Sequence, residues 1–202
     1  SLWHEQKTYG RSRTLCLLLS VGYRALVMDD DILCEAILPP ITESGIGIGS
    51  GGMRKASFYA NEQEVLRSGR PADFDPLSAH ASLLGSTLGY ALALVNVLAA
   101  DSPVLVTQCG TLGDPGTGSA HWALYLDEDS TERMLAMPQG VTAAMEGRMN
   151  WLGSTRPNFY KMPFMSQLTG LDNSQLLPPY FPAFRGEDTL FGAMLIAIQN
   201  HG

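Results

Sequence analysis

The stretch Arg24–Glu35, RALVMDDDILCE, runs an apolar segment straight into three consecutive carboxylates, Asp29, Asp30 and Asp31. Before it, Ser12–Val21 (SRTLCLLLSV) holds good helix formers and no breaker, and Gly22 follows as a C-terminal stop. A helix, a glycine and a short buried strand, YRALVM, form the order expected of an α/β layer with parallel strands. In open sheets of that kind ligands bind beyond the carboxyl ends of the strands, where these aspartates stand. Carboxylates so close repel one another by on the order of a few kcal/mol per pair at an effective dielectric near 20. Solvation, protonation of one of them, or a bound divalent cation offsets the repulsion. Side chains alternate along extended chain, so Asp29 and Asp31 share a side while Asp30 points elsewhere. Such a D-x-D pair suits Mg²⁺ or Mn²⁺, which take one or two carboxylates and complete their shell with phosphate and water. A solvated turn with an Asx cap is the competing reading, and the apolar lead-in favours the cation seat.

Bulk properties narrow the field. The chain of 202 residues is long enough for one sizeable domain, and 45% apolar against 16% charged residues predicts a packed core. A net charge of −7 and the lack of any Lys/Arg run exclude a nucleic-acid footprint and disfavour anionic lipid. An anionic substrate then needs a local cation, either a metal or Arg/Lys side chains. Cys16, Cys34 and Cys109 lie far apart and form no zinc spacing, so reduced, buried thiols in a cytoplasmic protein are expected. The opening SLWHEQKTYGRSR has no signal-peptide core. Pro76–Ala100 lacks Asp, Glu, Lys and Arg, yet it contains His80, Asn96 and two glycines, and its strongly apolar part, Tyr90–Ala100, is too short to span a bilayer. A buried helix over Ser78–Ala100 is expected there, and no membrane span.

Further along, Ser102–Gly110 and His121–Asp129 read as strands, with a Gly/Pro-rich loop between them. Asp129 and Glu132 fit a capping box. Pro138 splits two short helices, and Gly153–Arg185 reads as irregular. Glu187–Asn200 is a helix that places Leu190, Phe191, Met194, Leu195 and Ile198 on one face. Gly186 opens it and sets Glu187 and Asp188 in its first turn. Acidic residues there complement the helix dipole, and the same dipole keeps a carboxylate ionised and able to accept a proton. The glycine-rich Gly45–Lys55 allows close backbone approach to a ligand, with Arg54 and Lys55 near an anionic group. The loop Gln108–Trp122 resembles a G-D-S-G-G segment, but Pro115 stands where a nucleophile would be, so it reads as a flexible loop. His4, His80, His121 and His201 have no ligand spacing.

Taken in order, a helix, YRALVMDDD and then RGEDTLFGAML resemble the glycosyltransferases of GT-A fold, notably the family-2 type. The resemblance covers Gly10–Glu35 and Pro178–Asn200. It implies an α/β fold with a mixed or mostly parallel GT-A-like sheet flanked by helices, incomplete at the N-terminus. It implies one catalytic domain over residues 1–202 with an insertion around 54–150, since Asp31 and Glu187 are far apart. By resemblance, Asp29 and Asp31 bind Mn²⁺ or Mg²⁺, which holds the diphosphate of a nucleotide-sugar, and Asp30 approaches ribose or sugar. Asp188, with Glu187 as second choice, deprotonates an acceptor hydroxyl, and Arg54 and Arg185 are further substrate-binding candidates. The implied activity is inverting transfer of a sugar to a hydroxyl acceptor. The first nucleotide-binding strands and a Q-x-x-R-W motif are missing, which is compatible with an inactive chain. The rival readings are a non-catalytic glycan- or nucleotide-binding module, a Mg²⁺-dependent phosphohydrolase, which needs an aspartyl nucleophile and a downstream lysine that Lys55 and Lys161 supply poorly, and a solvated acidic turn on a structural domain.

Overall fold

A computed structural model describes residues 9–49, 55–87, 102–114, 120–147, 149–164, 166–183 and 186–199. In chain order the elements are α1 (Tyr9–Leu19), β1 (Arg24–Met28), β2 (Ile37–Leu38), β3 (Gly47–Gly49), β4 (Lys55–Phe58), α2 (Glu62–Ser68), β5 (Arg70–Pro71) and α3 (Pro76–Leu83). They continue with β6 (Val106–Gln108), β7 (Thr111–Gly113), a 3₁₀ turn (Ala120–Tyr125), α4 (Glu128–Leu135), α5 (Gly140–Glu146), β8 (Asn150–Gly153), β9 (Asn158–Tyr160), β10 (Leu168–Asp172) and α6 (Glu187–Gln199). The class is mixed α/β. Contacts divide the chain into two compact units, one of Ser1–Ile32, Pro76–Gln108 and Tyr160–Gly202, the other of Leu33–Asp75 and Cys109–Phe159. Where the sequence reading has one domain with an insertion over 54–150, residues 76–108 return to the first unit.

The first unit is built on a sheet of order β1-β10-β6. Its pairs run antiparallel, from Arg24↔Asp172 to Met28↔Leu168 and from Thr169↔Gln108 to Leu171↔Val106. The expectation of a mostly parallel sheet is therefore corrected for the described pairs. β1 and β6 share a direction, but β10 lies between them. β1 is also an edge strand rather than a buried one: Arg24, Leu26 and Met28 are exposed, and Ala25 and Val27 half-buried. The strand buried along its whole length is β10, LTGLD, from the stretch read as irregular. Gly170 permits this, because a Cβ there would overlap Thr107 Oγ1 and come 3.0 Å from Leu84 Cδ1.

Leu17, Leu105, Leu171, Tyr180, Phe191 and Leu195 form the core of this unit, and the Tyr180 and Phe191 rings stack at 4.2 Å. Each such side chain contributes roughly 1.5–3 kcal/mol when fully buried. α6 buries Glu187, Phe191 and Leu195, one turn apart each, while Leu190 is exposed. α1 ends at Leu19, and the chain turns back at Gly22, the expected stop, whose φ is 85°. Asn173 closes that end by donating from Nδ2 to the Leu17 carbonyl at 2.6 Å and to Ser20 Oγ at 3.0 Å. The expected long helix Ser78–Ala100 is α3 alone in the described part, ending before Gly85 at φ 70°. Residues 88–101, including the strongly apolar Tyr90–Ala100, lie outside the described residues. Among the described residues no helix is long and apolar enough to cross a membrane. His80 is buried and shares a 2.7 Å hydrogen bond with Thr107 Oγ1, and burial pushes its imidazole below the usual range.

The second unit carries the antiparallel sheet β4-β8-β7 and two-stranded pairs β2-β5 and β3-β9. Ala56, Phe58, Leu126, Met134, Ala144 and Leu152 make its core. α4 protects the β4 edge. Ser130 Oγ accepts from the Ala56 N–H at 2.9 Å, and Arg133 Nε donates to the Ala56 carbonyl at 2.9 Å. His121–Asp129 is not a strand but the 3₁₀ turn and the start of α4. The helix is capped by Asp127, which accepts from the Ser130 N–H at 3.0 Å, so the Asp129/Glu132 box is displaced by an earlier cap. Thr111–Gly113, read as loop, pairs with β8. All three cysteines are exposed rather than buried.

Candidate functional site

The reversal at Gly22 lays α1 back against β1, so the N-terminal half of the helix reaches the strand's carboxyl end. Gly10, Arg13 and Leu17 fall on one face of α1 at helical spacing. Gly10 and Leu17 are buried, and Arg13 stands between them. Gly10 is needed there, since a Cβ would overlap the Phe181 carbonyl and come 3.2 Å from Glu187 Cβ. An arginine on the buried stripe of a helix must meet charge, and it does. Arg13 Nη1 donates to Asp188 Oδ1, 175 residues away, and Nη2 donates to Asp29 Oδ1 at 3.3 Å.

The two carboxylates arrive by different routes. Asp29 directly follows β1 and is pinned there by its N–H, which donates to the Gln167 carbonyl at 2.9 Å. Asp188 and the buried Glu187 occupy the first turn of α6, where the helix dipole favours negative charge. Tyr180 forms a wall: Arg13 Cζ lies 5.6 Å from its ring centroid, and Thr14 Oγ1 donates to its carbonyl at 3.0 Å. Cation and ring attract one another in this arrangement. Burial works against the charge on Arg13, but Asp188, Tyr180, Asp29 and Glu187 together raise its pKa above the ordinary value. The Tyr180 phenol is pushed far above its usual range by burial and by Asp188 and Glu187, against the pull of Arg13. A cleft of about 370 Å³ lies beside these residues, lined in part by Thr14, Leu15, Tyr180, Phe181 and Met194.

The structure thus brings together Asp29, Asp188 and Glu187 from the sequence candidates. Asp30 and Asp31 are close by in sequence and exposed. Arg54 and Arg185 lie outside the described residues, as do His4 and His201. Lys55 belongs to the second unit, where Asp127 at 3.0 Å, Glu43 at 3.4 Å and Asp129 at 3.6 Å surround its ammonium. The hydrogen bond that Lys55 donates to Asp127 outweighs burial and raises the lysine's pKa. With three carboxylates already about it, Lys55 is poorly suited to an anionic substrate. Lys161 is exposed.

As placed, Asp29 and Asp31, the expected seat of Mn²⁺ or Mg²⁺, belong to no larger cluster of metal-ligating side chains among the described residues. Among the described residues no group of three or more His, Cys, Asp or Glu is arranged to hold a metal ion. Asp29 turns to a guanidinium instead. Sequence reasoning passed over Arg13 and Tyr180. The signal for Arg13 was its position one turn before Leu17 on the buried face, whereas Tyr180 sits in a Pro- and aromatic-rich stretch with no periodicity. Compared with protein-family models, characterised proteins and solved structures, the chain matches none of them.

Proposed function

We propose that the first unit carries the reacting centre of a glycosyltransferase, which moves a sugar from a nucleotide-diphosphate sugar to an acceptor hydroxyl with inversion. The observation that supports this reading is the meeting of Asp29 and Asp188 on one arginine, which joins the acidic tip of β1 to the acidic start of α6. In the proposed reaction Asp188 takes the acceptor's hydroxyl proton while that oxygen attacks the anomeric carbon. The bond to the diphosphate oxygen breaks, and the electron pair leaves with the diphosphate. Asp30 is proposed to face ribose or sugar. Glu187, buried and next to Asp188 in sequence, is the second choice as base. Mn²⁺ or Mg²⁺ on Asp29 and Asp31 would supply electrostatic stabilisation of the leaving diphosphate.

The test is transfer from a panel of nucleotide-sugars to hydroxyl acceptors, with donor hydrolysis followed in parallel. Asp188→Asn should lower transfer by about 10²–10⁴-fold while slow hydrolysis persists, because a general base contributes in that range. Unchanged transfer removes Asp188 from the role. If transfer is absent and the melting temperature responds to free sugar or nucleotide, the chain is a binding module. Metal-dependent release of inorganic phosphate instead identifies a phosphohydrolase.

A further inference from the structure

We infer that Arg13 is the resident cation of the Asp29–Asp188 site, and that a divalent metal binds at Asp29 only in competition with it. The inference rests on the proposed transferase only in its choice of Mn²⁺ and nucleoside diphosphates as probes. It stands on three features of the first unit. One planar group reaches both carboxylates, Nη1 on Asp188 and Nη2 on Asp29, from a helix that is itself part of the core. The guanidinium is held from the side by Tyr180 at 5.6 Å, and Tyr180 is stacked on Phe191, so its position is set by packing and not only by charge. Arg13 is 16% exposed and Asp29 41%, so the arginine lies on the protein side of the pair and the carboxylate on the solvent side.

These features give the competition a geometric cause. Asp29 Oδ1 accepts from Nη2 at 3.3 Å, and a metal drawn to that oxygen meets a fixed positive charge a few ångströms away. The carboxylates are already compensated without an ion, so the drive to recruit one from two repelling aspartates is weakened. Asp31, exposed, remains available to an incoming ion, but an ion that also engages Asp29 shares that carboxylate with the Arg13 guanidinium and is repelled by it. Arg13 therefore holds the site together when metal is absent and sets a threshold for metal entry.

The experiment measures Mn²⁺ affinity by the loss of the free-ion electron paramagnetic resonance signal. It uses the full chain, with Mn²⁺ alone and with Mn²⁺ plus UDP or GDP. Arg13→Met and Arg13→Gln keep much of the side-chain length and remove the charge. Both should bind Mn²⁺ at least about tenfold tighter than the unmodified chain, which corresponds to ~1.4 kcal/mol. Adding Asp29→Asn to either variant should abolish the gain. Arg13→Lys, which keeps the charge should the neutral variants not fold, should bind Mn²⁺ no more tightly than the unmodified chain. Equal or weaker binding by the neutral variants, a gain that survives Asp29→Asn, or tight binding by Arg13→Lys overturns the inference. Sugar transfer is scored separately, so its absence counts against the proposed reaction and not against the competition.

Discussion

Asn150 offers the sharpest test of the packing in the second unit. It sits in β8 with Phe58 of β4 directly opposite on one side and Gly113 of β7 on the other. It is fully buried, and among the described residues neither Oδ1 nor Nδ2 has a hydrogen-bond partner. Directly opposed side chains share a face of the sheet, so the amide lies on the face of Phe58 and its apolar cluster of Ala56, Leu126, Met134 and Leu152. Leaving an amide unpaired in such surroundings costs about 1–3 kcal/mol by the measure of protein substitutions. Leucine has the same branched skeleton with bulkier ends, so Asn150→Leu removes that cost without opening a cavity. The expected result is a gain of about 1–3 kcal/mol in unfolding free energy, or roughly 2–4 °C in Tm per kcal/mol for a chain of this length. Urea unfolding followed by tryptophan fluorescence reads it, because the neighbouring Trp151 is buried in the same strand. Asn150→Ala, which also deletes the amide but leaves a void, should gain less or lose. A loss of 1 kcal/mol or more in Asn150→Leu would refute the reasoning, since it would mean that the amide is making bonds the leucine cannot replace.

Two further substitutions probe the folds of the separate units. Gly170→Ala sets a methyl against Thr107 Oγ1 and Leu84 in the central strand of the first unit, and should lower stability by about 1–3 kcal/mol in urea titration. An unchanged midpoint would show that the β10–β6 approach is not close. Asp127→Ala removes the cap of α4 and the nearest partner of Lys55, and should cost about 1–2 kcal/mol at pH 7. Burial works against the Asp127 carboxylate, but the Ser130 and Lys55 hydrogen bonds prevail and hold its pKa below 3.8. A depressed folded-state pKa means that the unfolded chain takes up the proton first as pH falls. The charge-dependent part of the stability difference between parent and variant should therefore persist above about pH 3.8 and fade as pH drops through the lower folded value. Denaturant midpoints of both proteins between pH 7 and pH 2 measure it, and a difference that stays constant to pH 2 would sink this reading.

What the residue order determined by itself was local. The helix that stops short of Gly22, the strand Arg24–Met28 with Asp29 at its end, and the helix opening with Glu187 and Asp188 each follow from caps, breakers and periodicity within a few residues. Those signals act over one or two turns of chain, so they survive whatever the rest of the molecule does. The partner of β1 was decided only by tertiary structure. LTGLD is five residues with a glycine at its centre, too short and irregular to advertise a strand, and it becomes the buried one because Gly170 lets Thr107 and Leu84 close on it. Its insertion between β1 and β6 is what turns an expected parallel layer into an antiparallel one. The charge at the site was settled the same way. Asp29, read with Asp31 as a cation seat, and Asp188, read as a base, are legible as charges, but the cation that Asp29 meets comes from a helix 16 residues earlier and that of Asp188 from 175 residues away. Electrostatic attraction depends on distance in space, and only the folding of α1 onto β1 and α6 makes those distances short.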